Sequence, residues 1–417
     1  MNNPAEIDQN ASASQPIRPW SSLLIRDYRL LWAASILNAL AVQVRNVASA
    51  YQVYELTGSP FQLGLTGFLQ ALPFVVFGLF AGAVADAFNR KTLVVLSAGL
   101  QLVPCVALGF LTSTGAIRIW HIYLLSLLGA FLEVFNWPAR AAMIPRMVPQ
   151  ALLMNAVTMN SMIIQTSFLL GPAIGGVLID YIDLAHTYFV SAALVVPAIF
   201  AILGMRSSGE PEGARRTVNL RSIIEGVEFI WIQRIILSLF VLDFGVTLFG
   251  FYRPILPIFA ADVFKMGASG LGTLYAAPSA GSLLGSIALL MMGDLRCKGI
   301  AVVAAAIFFA ASLALLGIAQ WFWLAVAAVI LLGFTDSISV AIRRTVVQLL
   351  APDRMLGRAS SLITVFAQAT NALGALLAGV AAQFMGAPNA LLVGSALCLL
   401  MIFAICGAIP QLWRYSD

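Results

Sequence analysis

Twelve long apolar runs constrain this chain more than any other feature. A helix crossing the hydrocarbon core of a bilayer needs about 20 apolar residues. Runs of that length recur at roughly 29–53, 61–84, 92–112, 119–142, 155–179, 185–205, 235–260, 270–292, 299–319, 321–344, 360–384 and 388–409. Lipid offers the backbone no hydrogen-bond partner, so each run must close its own hydrogen bonds as a helix. The pattern predicts an all-α membrane protein with twelve transmembrane helices. Composition agrees: 10% of the residues are charged, against about 25% in a soluble domain.

The connections are a few residues long, so successive helices run antiparallel. Residues 206–234 are the exception. Within them Leu220, Ile223, Ile224, Val227, Ile230 and Trp231 recur at helical spacing, with Arg221, Ser222, Glu225 and Glu228 on the other face. That pattern predicts an amphipathic helix lying at a membrane surface. The expected organisation is a tail over 1–23, a six-helix bundle over 24–205, a linker over 206–234, a second six-helix bundle over 235–410, and a tail over 411–417. The first tail lacks the basic-then-apolar pattern of a cleaved signal peptide.

Cations set the orientation. With the N-terminus inside, 19 of the 23 Lys and Arg residues fall in the tails and the inner loops or at inner helix ends; Arg45, Arg118, Arg253 and Lys265 do not. The positive-inside rule then predicts both termini in the cytoplasm. The net charge of +5 follows topology and does not suggest nucleic acid. Cys105, Cys297, Cys398 and Cys406 form no C-x-x-C pair, and the two histidines fall in short loops, so no metal site or cofactor is expected. Neither a G-x-S-x-G, an H-E-x-x-H nor an intact Walker loop is found, which argues against an enzyme.

The two halves read as repeats. A shift of 203 residues pairs Glu133 with Asp336, Arg140 with Arg343, Gln165 with Gln368, Gly171 with Gly374 and Gly176 with Gly379. A shift of 208 pairs Gly64 with Gly272, Asp86 with Asp294 and Arg90 with Lys298. Parallel six-span repeats joined by a linker are the pattern of a transporter that rocks around a site between its halves.

The turn Gly82–Lys91 resembles the major facilitator superfamily signature G-x-x-x-D-R-x-G-R-K: Gly82, Asp86, Arg90 and Lys91 match, while Ala87 and Asn89 depart. Gly171-Pro172-Ala173-Ile174-Gly175-Gly176 is similar to the G-P-x-x-G-G of that family's drug antiporters. Tyr54 to Pro60 with Leu63-Gly64, and Pro138-Ala139-Arg140 with Ile144-Pro145 and Val148-Pro149, resemble the branch that includes the enterobactin exporter and the macrolide efflux proteins. The resemblance implies the major facilitator fold and proton-coupled efflux of an amphipathic organic molecule such as a siderophore, a macrolide or another drug. It implies a bacterial cytoplasmic membrane and a monomer. Uptake, or lysolipid handling, remains open on the same scaffold, as does a non-transporting sensor.

Charges within spans mark functional sites by default. A carboxylate that alternates between dry and wet surroundings binds a proton in one and releases it in the other. Glu133, Asp243 and Asp336 are the proton-coupling candidates. In the first span Asn38, Arg45 and Gln52 share a face, and in the eleventh Gln368 and Asn371 do. With Asn136, Trp137 and Gln165 they are expected to line a substrate cavity. Asp86 sits at a helix C-terminus, where the macrodipole disfavours a negative charge. The expected cytoplasmic gate pairs Asp86 with Arg140, with Arg90 nearby and a second copy in Asp294 and Arg343; the pair is expected to hold in the outward-facing state and to break when the cytoplasmic side opens. Arg253, beside Pro254 and Pro257, is expected to snorkel to the outer boundary. Gly171, Pro172, Gly175 and Gly176 are expected to allow close helix contact and a kink.

Overall fold

The computed structural model describes residues 18–207, 210, 228, 233–293, 297–350 and 353–408. Among the described residues twelve helices are long and apolar enough to cross a membrane, and no strand occurs. The helices are α1 (Arg26–Thr57), α2 (Pro60–Ala87), α3 (Arg90–Ser113), α4 (Ile119–Met147), α5 (Leu153–Ile182), α6 (Leu184–Leu203), α7 (Arg234–Gly250), α8 (Gly267–Met292), α9 (Lys298–Ile318), α10 (Phe322–Leu350), α11 (Asp353–Met385) and α12 (Ala387–Ala408), and the seventh span, Ile236–Val263, takes in α7 and the turns after it. Nearly all of the expected linker helix, and Asp294, lie outside the described residues.

The turns are encoded locally. Gly58 ends α1 at φ +58° and donates its N–H to the Tyr54 carbonyl, and Pro60 then opens α2 at a position that needs no donor. Asn89 caps α3 by accepting the Thr92 N–H at 3.1 Å. Asp183 alone separates α5 from α6, at φ +79°, and its carboxylate accepts the His186 N–H at 2.9 Å.

The seventh span is broken. After Gly250 the chain forms a 3-10 turn at Arg253–Ile255, a helical turn at Leu256–Ile258 and a π-helical turn at Phe259–Val263. Pro254 and Pro257 cannot donate to an α-helical ladder, so the break is written in the sequence.

The two sets of six helices repeat one packing pattern. In the first set α1 packs on α5 and α6, α3 on α4 and α6, and α2 on α4. In the second α7 packs on α11 and α12, α9 on α10 and α12, and α8 on α10. Between the sets, α2 lies on α11 and α5 on α8. Exposed apolar side chains cover the outer helices, including Leu96 and Phe110 of α3, Phe200 of α6, Phe308 of α9 and Phe403 of α12. Exposed Trp20, Trp120, Trp321 and Trp323 stand at helix ends, where membrane interfaces favour tryptophan. An even number of crossings puts both chain ends on one side, termed here the terminal side; the other is the far side.

Candidate functional site

Glu133 of α4 is held within the first bundle. Its Oε1 accepts from Asn38 Nδ2 at 3.0 Å and from Gln101 Nε2 at 3.3 Å. Gln101 also donates to the Gly129 carbonyl at 2.9 Å and accepts from Arg45 at 2.5 Å. Arg45 fits because Gly129 has no side chain: a Cβ there would stand 2.7 Å from the guanidinium. Gln101 therefore bridges the cation and the carboxylate, giving each a partner in a place with little water.

This corrects one expectation. Arg45 is 3% exposed and Gln52 2%, so neither lines a cavity. Gln52 donates to Thr112 Oγ1 at 2.9 Å and accepts from Tyr188 OH at 2.9 Å. The first-span polar stripe is directed inward, where α3, α4 and α6 supply complementary groups. Asn136 is buried as well, and its Oδ1 has no hydrogen-bond partner among the described residues. Trp137 is exposed, as are Gln165 and its neighbours Thr158 and Ser161. Gln368 accepts from Asn371 at 3.1 Å, and both are half-buried.

In the second bundle Arg343 of α10 forms an ion pair with Asp243 of α7. Asp336, two turns before Arg343, is exposed on its helix. Its charged neighbours are Arg343, Asp243 and Arg253. Arg253 does not snorkel outward. Its guanidinium lies 5.6 Å from the centre of the Phe168 ring of α5, so the break in the seventh span turns this cation towards the other bundle.

The Asp86–Arg140 latch expected of the outward-facing state is not formed in this structure, whose far side is closed. Asp86 pairs instead with Arg90 at 2.9 Å. Arg90 is buried and also donates to the Ala85 and Ala142 carbonyls, each at 3.3 Å. One turn of separation and a fixed guanidinium give Arg90 priority over any partner on another helix. Helical side chains lean toward their own N-terminus, which carries Arg140 away from this turn and toward Glu133. Lys91 closes the neighbouring helix by donating to the Leu203 and Met205 carbonyls at 3.2 and 2.6 Å.

The far side holds a set of contacts that sequence reasoning missed. Asp180 of α5 accepts from the N–H groups of Ala268 and Ser269, at 3.2 and 2.8 Å, and so caps α8 of the other bundle. Tyr54 OH donates to Asp262. Gln383 Oε1 accepts from Ser59 Oγ at 2.8 Å and from the Phe61 N–H at 3.4 Å. Every hydrogen bond between described residues that crosses the bundles lies at this end. Below it Gly176 meets Gly272, while Gly171 and Gly175 lie against Gln43 and Val44 of α1. Asp180 and Asp262 stand at the ends of apolar runs, with no local motif around them. Only the tertiary arrangement gives them partners.

The arrangement provides a sealed far side, one membrane-embedded carboxylate system in each bundle, and polar exposure on α4, α5 and α10. Residues 17–412 match the family model described as transmembrane secretion effector. Among curated proteins, the chain is 25% identical over 376 residues to the multidrug efflux pump Tap of Mycolicibacterium fortuitum, covering 88% of this chain and 91% of Tap. It is 24% identical over 352 residues to the enterobactin exporter EntS of Escherichia coli, covering 84% of each. Among solved structures, an inward-facing bacterial homologue of the lysosomal transporter Spinster superposes with a TM-score of 0.74 at 15% identity, over 93% of this chain and 97% of that one. The nucleoside transporter NupG gives a TM-score of 0.73 at 13% identity, over 91% and 99%. These two likenesses establish the fold.

Proposed function

This chain belongs to the transmembrane secretion effector family of the major facilitator superfamily, and we propose that it exports an amphipathic organic molecule in exchange for protons. It is a multi-pass membrane transporter and not an enzyme. In the proposal the terminal side faces the cytoplasm of a bacterium, the protein works as a monomer, and the two bundles rock about a central cavity. The far-side contacts form the outer gate, closed in this structure.

The observation that carries the reading is the repeat-related pair of embedded acids, Glu133 and Asp336. Each lies in the fourth helix of its bundle, and neither forms an ion pair among the described residues. Glu133 is held by two neutral amides, which bond to it whether or not it carries a proton. A group held this way can load and unload a proton without losing its place. Asp243 is the weaker candidate, because Arg343 holds it as an ion pair. The relatives described as a multidrug efflux pump and an enterobactin exporter support the outward direction.

Inside-out vesicles carrying the protein test the reading. An imposed gradient, acid inside, should drive accumulation of a fluorescent amphipathic dye, and an uncoupler should release it. Accumulation that ignores the gradient, or that runs only in right-side-out vesicles, would refute proton-coupled export.

A further inference from the structure

We propose that Arg140 is the recognition point for an anionic group on the cargo. The inference rests on the export reading and narrows its substrate class to organic anions with an apolar or aromatic body.

The two arginines related by the repeat differ in their surroundings. Arg343 is neutralised by Asp243 from α7. The corresponding helix of the first bundle, α1, carries no carboxylate between Asp27 and Glu55. The other acids near Arg140 are already engaged: Asp86 by Arg90, and Glu133 by Asn38 and Gln101. Glu133 lies two turns earlier on the same helix, about 10 Å along it, and no ion pair joins it to Arg140. Nε and NH1 of Arg140 are buried and have no hydrogen-bond partner among the described residues.

A buried guanidinium without a counter-charge is costly, and a membrane helix that keeps one has a use for it. The Asn136 carbonyl oxygen, one turn earlier on the same face, is also buried and unpartnered. Together they offer donors for an anionic oxygen beside an acceptor for a neighbouring O–H or N–H. Trp137 lies three residues before Arg140 and is 46% exposed, which provides an apolar surface for the rest of the molecule. Arg140 itself is half-buried. It lies about 10 Å from the terminal-side end of α4, on the side from which an exporter loads.

The test uses the purified full-length protein in detergent, with benzoate as the probe and benzamide as its neutral isostere. Binding is read from Trp fluorescence and from the shift in melting temperature. The parent should prefer benzoate by at least roughly tenfold, the range of a charge-assisted hydrogen bond. Arg140→Gln should erase that preference. Arg140→Lys, which keeps the charge but not the planar fork, should retain part of it. Equal binding of benzoate and benzamide by the parent overturns the proposal, whether or not the variants fold. So does an undiminished benzoate preference in folded Arg140→Gln. Dye export in vesicles is scored separately. Export with no benzoate preference removes only the anion assignment, whereas loss of gradient-driven export removes the reading beneath it.

Discussion

Gly64 of α2 and Gly379 of α11 meet where no side chain fits: a Cβ on Gly379 would stand 2.7 Å from the Cα of Gly64. On the other flank, a Cβ on Gly176 of α5 would stand 3.0 Å from the Cα of Gly272 of α8. The repeat relation maps Gly64 onto Gly272 and Gly379 onto Gly176, so the two crossings are one contact used twice. Both close the far side, and both depend on glycine.

Gly379→Leu should therefore oppose far-side closure. Forcing methylenes into such a contact costs about 1–3 kcal/mol, and only the sealed state bears that cost. Tyr51 of α1 is half-buried and packs against the apolar cluster that includes Ala268 and Leu271 of α8; with Tyr51→Cys as a reporter in a cysteine-free background, a membrane-impermeant thiol reagent should label the Gly379→Leu protein faster than the parent. Unchanged labelling would mean that the crossing does not govern the gate.

Asp180→Asn should weaken the same gate by another route. The carboxylate holds two N–H groups at the start of α8, where the helix dipole favours negative charge. Hydrogen bonds to a charged group contribute about 1.5–3 kcal/mol, and the amide keeps at most part of that. Reporter labelling should rise as in the glycine variant, while binding of benzoate at Arg140 stays at the parental level.

Arg90→Ala should destabilise the protein more than Asp86→Ala. The first removes the buried cation that ties the Asp86 carboxylate to two backbone carbonyls, at about 1–3 kcal/mol in all. The second leaves the buried Arg90 without its counter-charge but still held by the Ala85 and Ala142 carbonyls, and the acid it removes is about a third exposed, so it costs less. Melting temperatures of the two purified variants give the order directly.

The turn between α5 and α6 should loosen in acid. Its Asp183 carboxyl is held below the usual carboxylate range, chiefly by the His186 N–H. A group whose folded-state value is depressed stabilises fully above its ordinary value and loses that contribution as pH falls through the folded one. Hydrogen exchange of the His186 amide should therefore show protection at neutral pH that declines below about pH 4. Asp183→Ala should remove the protection at every pH.

The helices, their number and their repeat were legible because lipid imposes length and apolarity directly on the sequence. The break in the seventh span could be read from Pro254 and Pro257 for a similar reason. Partner choice was harder. Arg45 looked like a cavity residue because its helix face was polar, but the complement lay in Gln101, a single amide inside an apolar run. Asp86 was assigned Arg140 for the outward-facing state, and in this state its partner is Arg90, one turn away. Asp180 and Asp262 gave no local signal, since their partners belong to the other bundle.

In the proposed export cycle Glu133 carries the coupling proton. That role is tested most directly in proteoliposomes by measuring dye transport and proton flux together, for the parent and for Glu133→Gln. Proton flux should be tied to dye movement in the parent. In Glu133→Gln the proton flux and the gradient-driven accumulation should disappear, while dye exchange at equal concentrations persists. Gradient-driven accumulation that survives in Glu133→Gln with an unchanged pH dependence would contradict it.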